Sequence, residues 1–275
     1  MASGSTGRID GAEAMSSASE RIGPGGWLAI GLRLSLMLAL LLACLPFHYL
    51  WRLLGLRRVW PRLFLAGLGT IAGLEITVHG RHHKGTLLLA NHVSWLDIPA
   101  IAAASGSAFV GHDGLTQIPL VRRLCAMNDT VFIARHRRAS VAGQAAEIRQ
   151  ALDDTGALTL FPEGTTSDGT GLLPFKSALL SAVEPLPAGV TVQPVLLAYA
   201  DAPAIAWVGE EHGLANFLRI NARWRPVRLA VHFLKPLEGE ALASRKTMAA
   251  AAQAAIARAM GQGHDPALQM QRVLP

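Results

Sequence analysis

A histidine and an aspartate five positions apart, His92 and Asp97, are the residues whose types best suit proton transfer in this chain. Imidazole, with an ordinary pKa of about 6.5, can take a proton and return it near neutrality. A neighbouring carboxylate fixes which ring nitrogen carries the hydrogen. On a regular helix positions i and i+5 point about 140° apart, so the two side chains meet only where the backbone turns between them. Asn91-His92-Val93-Ser94-Trp95-Leu96-Asp97 offers such a turn. The apolar run at 86–90 reads as a buried strand. Pro99 suits the first turn of the helix that follows, where a missing N–H costs nothing. Alone, the pair reads equally well as a surface histidine and a solvated charge.

Three more segments end strands in chemically equipped corners. Residues 130–133 run into Ala134-Arg135-His136-Arg137-Arg138, and Arg135 offers a planar fork to phosphate. By itself such a run is more often a solvated basic loop. Phe161-Pro162-Glu163-Gly164-Thr165-Thr166-Ser167-Asp168-Gly169 turns an apolar strand into a polar loop. There Glu163 needs partners to offset desolvation, Gly164 lets backbone approach a ligand, and the hydroxyls can bond a polyol. As an isolated string it is only a turn. Downstream, Lys176 is expected near the N-terminus of a helix at 174–183, adding charge where anions are favoured. The fourth segment, Val192-Gln193-Pro194-Val195, is a strand interrupted by proline and is expected at an edge or a bulge.

The elements that must carry these corners alternate. Strands are expected at 74–79, 86–90, 108–111, 130–133, 157–161, 191–199 and 228–234. Helices are expected between them at 98–104, 119–126, 140–153 and 174–183, with a last one at 244–260 opened by Ser244. This order implies an α/β fold: a mainly parallel sheet covered by helices.

The chain has 275 residues, 51% of them hydrophobic and 16% charged, with 25 Lys and Arg against 19 Asp and Glu. A basic and unusually apolar chain points to an anionic membrane surface. No interleaving of aromatic and basic residues supports nucleic acid as a partner. Two cysteines, Cys44 and Cys125, make no disulfide framework. Residues 1–26 read as a disordered leader, 27–73 as a membrane-anchoring helical region, 74–260 as the α/β domain and 261–275 as a flexible tail. Residues 27–45 form an apolar run that spans roughly 28 Å as a helix. Arg33 within it could snorkel to a headgroup. A second apolar stretch, 63–74, is too short to span easily. Either 27–45 crosses the bilayer once, or the two stretches lie in one leaflet as a helix pair. Arg52, Arg57, Arg58 and Arg62 favour a cytoplasmic face for the domain that follows. Trp207, Trp224 and arginines 219, 223, 225 and 228 form either a second interfacial patch or core aromatics beside a solvated basic face.

In order along the chain, Asn-His-x-Ser-x-x-Asp at 91–97, Phe-Ile-x-Arg at 132–135, Phe-Pro-Glu-Gly-Thr at 161–165 and the strand around Pro194 resemble the four blocks of the glycerolipid acyltransferases. The family is typified by 1-acyl-sn-glycerol-3-phosphate acyltransferase, and the resemblance covers roughly residues 75–235. It implies a membrane-bound O-acyltransferase of the inner membrane, its catalytic domain facing the cytoplasm, with acyl-coenzyme A or acyl carrier protein as donor and neither metal nor cofactor. His92 would be the general base and Asp97 its orienter. Arg135 and Lys176 would hold a phosphate, and Glu163, Gly164 and Thr165 would position the acceptor. The implied acceptor is 1-acyl-sn-glycerol-3-phosphate, giving phosphatidic acid. Two departures matter: Ala134 stands where the family often has an acidic residue, and Thr166 where many members have a phosphate-associated arginine. Phe-Pro-Glu-Gly-Thr-Thr-Ser-Asp-Gly resembles the branch that includes lyso-ornithine lipid acyltransferases, whose acceptor has no phosphate.

Two other readings compete. A lipid hydrolase would use Ser94 with His92 and Asp97, but no Gly-x-Ser-x-Gly elbow occurs and the three lie too close in sequence for the usual layout. A non-catalytic, membrane-anchored lipid-binding protein would not need His92.

Overall fold

The computed structural model describes residues 22–55, 59–112, 130–133, 141–184, 186–209 and 211–263. Residues 1–21, the expected helix at 119–126, Arg135 with the basic cluster around it, and residues 264–275 lie outside the described residues. Among the described residues seven strands form one sheet: β1 (Leu74–His79), β2 (Thr86–Ala90), β3 (Ala108–His112), β4 (Val131–Ile133), β5 (Ala157–Leu160), β6 (Thr191–Tyr199) and β7 (Val227–Phe233). Each matches its expected span to within one residue at either end. Their order is β1-β7-β6-β2-β5-β3-β4, and every neighbouring pair is parallel except β6 with β7. The helices are α1 (Pro24–Leu53), α2 (Val59–Ile71), α3 (Asp97–Ser105), α4 (Val141–Thr155), α5 (Gly213–Asn221) and α6 (Arg245–Gly263).

The strand patterns follow from how many faces are covered. β2 is buried at all five positions because helices lie on both sides. Leu88 and Ala90 pack with Leu96, Ile101 and Leu197 on one face, while Leu87 and Leu89 pack with Leu158, Met248 and Ile256 on the other. β7 belongs to a wing covered on one face, so Val227, Leu229, Val231 and Phe233 are buried while Arg228 between them is exposed.

Two expectations are corrected here. β6 is an interior strand between β2 and β7, so Pro194 is at neither an edge nor a bulge. The ladder with β7 starts at the Val195–Phe233 pair, and the Pro194 carbonyl accepts from Leu234 N beyond it at 3.0 Å. A strand residue turns its N–H and C=O to the same side, so the donor that proline lacks would face the Leu234 carbonyl, which accepts instead from Gln193 Nε2 at 2.7 Å. Residues 174–183 do not form an α-helix; only a 3₁₀ segment, Leu179–Val183, is present. The N–H groups of Leu173, Phe175 and Lys176 go instead to Glu163, Gln253 and Pro162. Lys176 therefore sits at no α-helix N-terminus.

The N-terminal apolar helix is longer than expected, beginning at Pro24 and ending at Leu53. It packs on α2 and α5, and α2 packs on α3 and β1. At its start Gly25 O accepts from Trp224 Nε1 at 3.1 Å. Arg33 does not snorkel outward: Nη1 donates to Ile220 O (3.2 Å) and Asn221 O (3.1 Å), the last carbonyls of α5, of which Ile220 O also accepts from Arg223 N at 3.2 Å. Arg62 reaches Ala103 O near the end of α3 at 3.2 Å in the same manner. Leu28, Leu32, Leu36, Leu38, Leu42 and Leu50 stay exposed. Phe47 and Trp60 stack at 4.9 Å near the turn between the two helices, with Trp51 edge-on to both.

Candidate active site

The sheet delivers three strand ends to one place. β2 stops at Ala90, but its hydrogen-bond ladder continues through a side chain: Asn91 Nδ2 donates to Leu197 O (3.1 Å) and Asn91 Oδ1 accepts from Leu197 N (2.7 Å). The backbone is thus free to turn at His92 without leaving buried strand groups unpaired.

Asp97, the first residue of α3 and fully buried, closes that turn. Its Oδ2 accepts from His92 Nδ1 (2.8 Å), Val93 N (2.7 Å) and Ser94 N (3.0 Å). Its Oδ1 accepts from Tyr199 Oη at 2.5 Å. Four donors and the positive end of α3 stabilise a charge that burial alone would disfavour. A carboxylate only accepts, so His92 Nδ1 carries the hydrogen and Nε2 holds a lone pair. The His92 side chain is 20% exposed, enough for a substrate to reach it.

The corner after β5 holds the other side of His92. Glu163, fully buried, accepts from His92 N (2.7 Å) through Oε1 and from Leu173 N (2.9 Å) through Oε2. Burial pushes its carboxyl above the ordinary range, although the two N–H bonds and the charge of His92 work the other way. Ser167 donates its N–H (2.7 Å) and its hydroxyl (3.2 Å) to His92 O. Phe161 stacks on the imidazole at 4.2 Å. The N–H and C=O of His92 and the N–H of Val93 are thus held, while among the described residues Nε2 has no hydrogen-bond partner. Gly164 has φ +70, and a Cβ there would lie 2.9 Å from Leu179 Cδ1 and 3.4 Å from Lys176 Nζ. The Lys176 ammonium therefore stands at this turn, although no helix brings it there. Thr165 is exposed beside it.

The comparisons with known proteins agree on what such a corner belongs to. A family model described as Acyltransferase matches residues 75–198. A lyso-ornithine lipid O-acyltransferase of Brucella abortus (strain 2308) is 33% identical over 243 residues, 82% of this chain and 91% of that one. The chain belongs to the acyltransferase family. This acyltransferase is also 37% identical over 140 residues to a 1-acyl-sn-glycerol-3-phosphate acyltransferase of Neisseria gonorrhoeae, covering 49% of this chain and 54% of that one. Its fold is similar to the crystal structure of the 1-acyl-sn-glycerophosphate acyltransferase PlsC from Thermotoga maritima, with TM-score 0.55 and 20% identity over 76% of this chain and 81% of that chain.

Several parts of the acyltransferase's site were not foreseen. A strap formed by residues 200–209 lies against the corner: Trp207 N donates to Val93 O at 3.0 Å, Ala202 packs with Val93, and the two close on Gly169. Thr166 donates its hydroxyl to Trp207 O. The unexpected helix α5 pins the strap. Arg219 grips Glu211 through Nε and Nη2 (2.9 Å each) and donates to Ala204 O and Ala206 O. Asn216 donates to Ala206 O and Glu211. Arg219 is therefore an organiser of the strap and not part of a free basic patch, while Trp224 is exposed at the start of α1 and is not a core aromatic. Ser94, fully buried, uses its hydroxyl oxygen to accept from Leu96 N at 3.4 Å, which is not the exposed nucleophile a hydrolase needs. Tyr199 carries a signal only in hindsight: it is the last residue of a strand that neighbours β2.

Proposed function

We propose that the protein transfers a fatty acyl group from an acyl thioester to the hydroxyl of a lysolipid, with His92 as general base and Asp97 as its orienter. The observation that carries this reading is the 2.8 Å His92 Nδ1–Asp97 Oδ2 contact with Nε2 left as the exposed lone pair. The acceptor hydroxyl gives its proton to Nε2 as its oxygen attacks the thioester carbonyl. The tetrahedral oxyanion then collapses, the C–S bond breaks, and the imidazolium returns the proton to the leaving thiolate. The thioester is already activated, and every group this sequence needs comes from the chain and its two substrates. Acyl-coenzyme A or acyl carrier protein is the donor. Arg135 and Lys176 supply positive charge for acidic parts of the substrates, and Gly164 and Thr165 border the acceptor.

The acceptor we favour is lyso-ornithine lipid. Two observations support it over 1-acyl-sn-glycerol-3-phosphate. Thr166, where a phosphate-associated arginine is common, turns its hydroxyl to the Trp207 carbonyl and not outward. The relatives covering most of this chain, in Brucella abortus and in Rhizobium meliloti (32% identical over 80% of this chain and 82% of that one), carry the lyso-ornithine name.

The helix pair α1–α2 is the membrane anchor. Its start is tied to α5 through Arg33 and to Trp224, just beyond α5, through Gly25, and its end leads through Gly73 into β1. Both ends meet the α/β domain, which supports a pair lying in one leaflet, reached from the cytoplasmic side, over a single crossing.

The test is an acyl-transfer assay on purified membranes with labelled acyl-coenzyme A or acyl carrier protein. The acceptor panel holds lyso-ornithine lipid, 1-acyl-sn-glycerol-3-phosphate and other lysophospholipids. Transfer to lyso-ornithine lipid should exceed the others, and His92→Ala should lower it by about 10² to 10⁴-fold. Preference for 1-acyl-sn-glycerol-3-phosphate would reassign the acceptor and leave the mechanism standing. Transfer unchanged in His92→Ala would remove His92 as the base, and transfer to no acceptor would bring forward the non-catalytic lipid-binding reading.

A further inference from the structure

We infer that Tyr199 is a positioning residue for this reaction: its buried hydroxyl, on Asp97 Oδ1, holds the carboxylate so that Oδ2 faces His92 and sets how strongly it stabilises the imidazolium. The inference rests on His92 being the base.

The geometry carries it. Oδ2 already receives three N–H groups from one short stretch, 92–94, so a turn of the carboxyl group about its Cβ–Cγ bond would disrupt all three. The hydroxyl on Oδ1 opposes that turn from another element, the end of β6. β6 braces the corner twice with alternate residues, Leu197 on Asn91 and Tyr199 on Asp97, so the sheet itself registers the catalytic pair. The phenol is a durable donor. Burial first, then the nearby Asp97 charge and the bond to it, push its pKa well above the ordinary range, so it keeps its proton wherever the enzyme works.

The physical consequence concerns basicity. A donor on Oδ1 draws electron density from the carboxylate and tempers its hold on the proton at His92 Nδ1. Removing it leaves a more basic Asp97 and moves the acid limb of the rate profile to higher pH, while the carboxyl group, freed to turn, no longer holds the imidazole in line for proton transfer, and that lost alignment is what lowers kcat. Among the described residues the other titratable group facing the pair is Glu163, whose carboxylate acts on both residues and is unchanged by a substitution at 199.

The test compares wild type, Tyr199→Phe, Asp97→Asn and the double variant as full-length protein in lipid vesicles, recording kcat and KM against pH together with Tm. Tyr199→Phe should lower kcat by about 3- to 30-fold, the share of a hydrogen bond to a charged group that reaches the transition state, with little change in KM. Its acid limb should move upward, and the double variant should fall no further than Asp97→Asn alone. A second arm replaces the phenol by 3-fluorotyrosine, a stronger donor of nearly the same shape. The chain holds two tyrosines, so Tyr49→Phe makes position 199 the sole site of incorporation. There the limb should move to lower pH. An acid limb unmoved in both arms, or an equal loss in the Asp97→Asn background, would overturn the inference and show a packing role only. Activity persisting in His92→Ala would instead remove the base on which it rests, so the two failures are told apart.

Discussion

The His92 corner and the α1–α2 pair invert each other's rules of burial. At the corner Asn91, Ser94, Asp97 and Glu163 are at most 1% exposed, and each has named hydrogen-bond partners. Along the pair, Leu28, Leu38, Leu42 and Leu53 are 56–84% exposed. Burying polar groups costs stability unless their bonds are complete, and exposing leucines to water costs it unless something apolar covers them. The corner solves its problem internally, with partners drawn from β2, β5, β6 and α3. The helix pair does not: among the described residues these leucines are left uncovered. The proposed function gives that face to lipid, which would set a region that excludes solvent beside one that takes a different solvent.

Charges on the anchor should break that contrast most visibly. Leu38 and Leu42 lie one turn apart and outward on α1. Changing both to Asp should weaken vesicle binding by at least about 100-fold, since a charge deep in hydrocarbon costs about 3 kcal/mol or more. Vesicle sedimentation measures this. Activity on detergent-dispersed substrate and the Tm should stay near wild type, because neither residue supports the corner. A loss of Tm equal to that of a corner variant would mean the leucines cover protein and not lipid.

Gly164→Ala should do the reverse. Its φ of +70 and the 2.9 Å approach to Leu179 Cδ1 leave a methyl strained. The expected loss is about 1–2 kcal/mol in chemical denaturation. Acceptor KM should rise, because Lys176 Nζ must shift, while vesicle binding stays unchanged. Weakened membrane binding here would show that the two regions are coupled.

What the sequence revealed depended on how local the cause was. The strands were legible because a short apolar run flanked by polar corners has few other uses in a parallel sheet, as 86–90 and 191–199 illustrate. His92 and Asp97 were legible because six residues, 92–97, contain the whole turn. Glu163 was seen as needing partners, yet those partners, His92 N and Leu173 N, could be named only from the fold. The failures share that cause. The helix expected at 174–183 is pinned at its start, where Gln253 and Pro162 hold the N–H groups of Phe175 and Lys176, and then tightens into a 3₁₀ segment in which Leu179, Leu180 and Ser181 bond three residues back. Arg33 looked like a snorkelling cation because the carbonyls it caps lie 187 and 188 residues away. α5 is short, opened by His212 in place of a usual cap residue, and nothing local announced it.

The smallest expected effect concerns acid stability, and Glu163 decides its sign. Burial raises this carboxyl's folded pKa above its unfolded value. The folded state therefore holds the proton more tightly, and the group's linked contribution is fully present below the unfolded pKa and lost as pH rises through the folded one. Glu163→Gln removes that titration, so urea denaturation of wild type and variant should differ most in slope across the mildly acidic window between the two pKa values. In that window wild type should gain on the variant as pH falls, by less than the limit of about 1.4 kcal/mol per pH unit for one proton. The glutamine also offers one oxygen where two N–H groups converge, so a constant offset against the variant is expected at every pH. The offset measures the two bonds, whereas the slope measures the buried charge. Parallel curves with an offset alone would mean that the N–H bonds of His92 and Leu173 balance the burial, and that Glu163 stays ionised as readily as an exposed carboxylate.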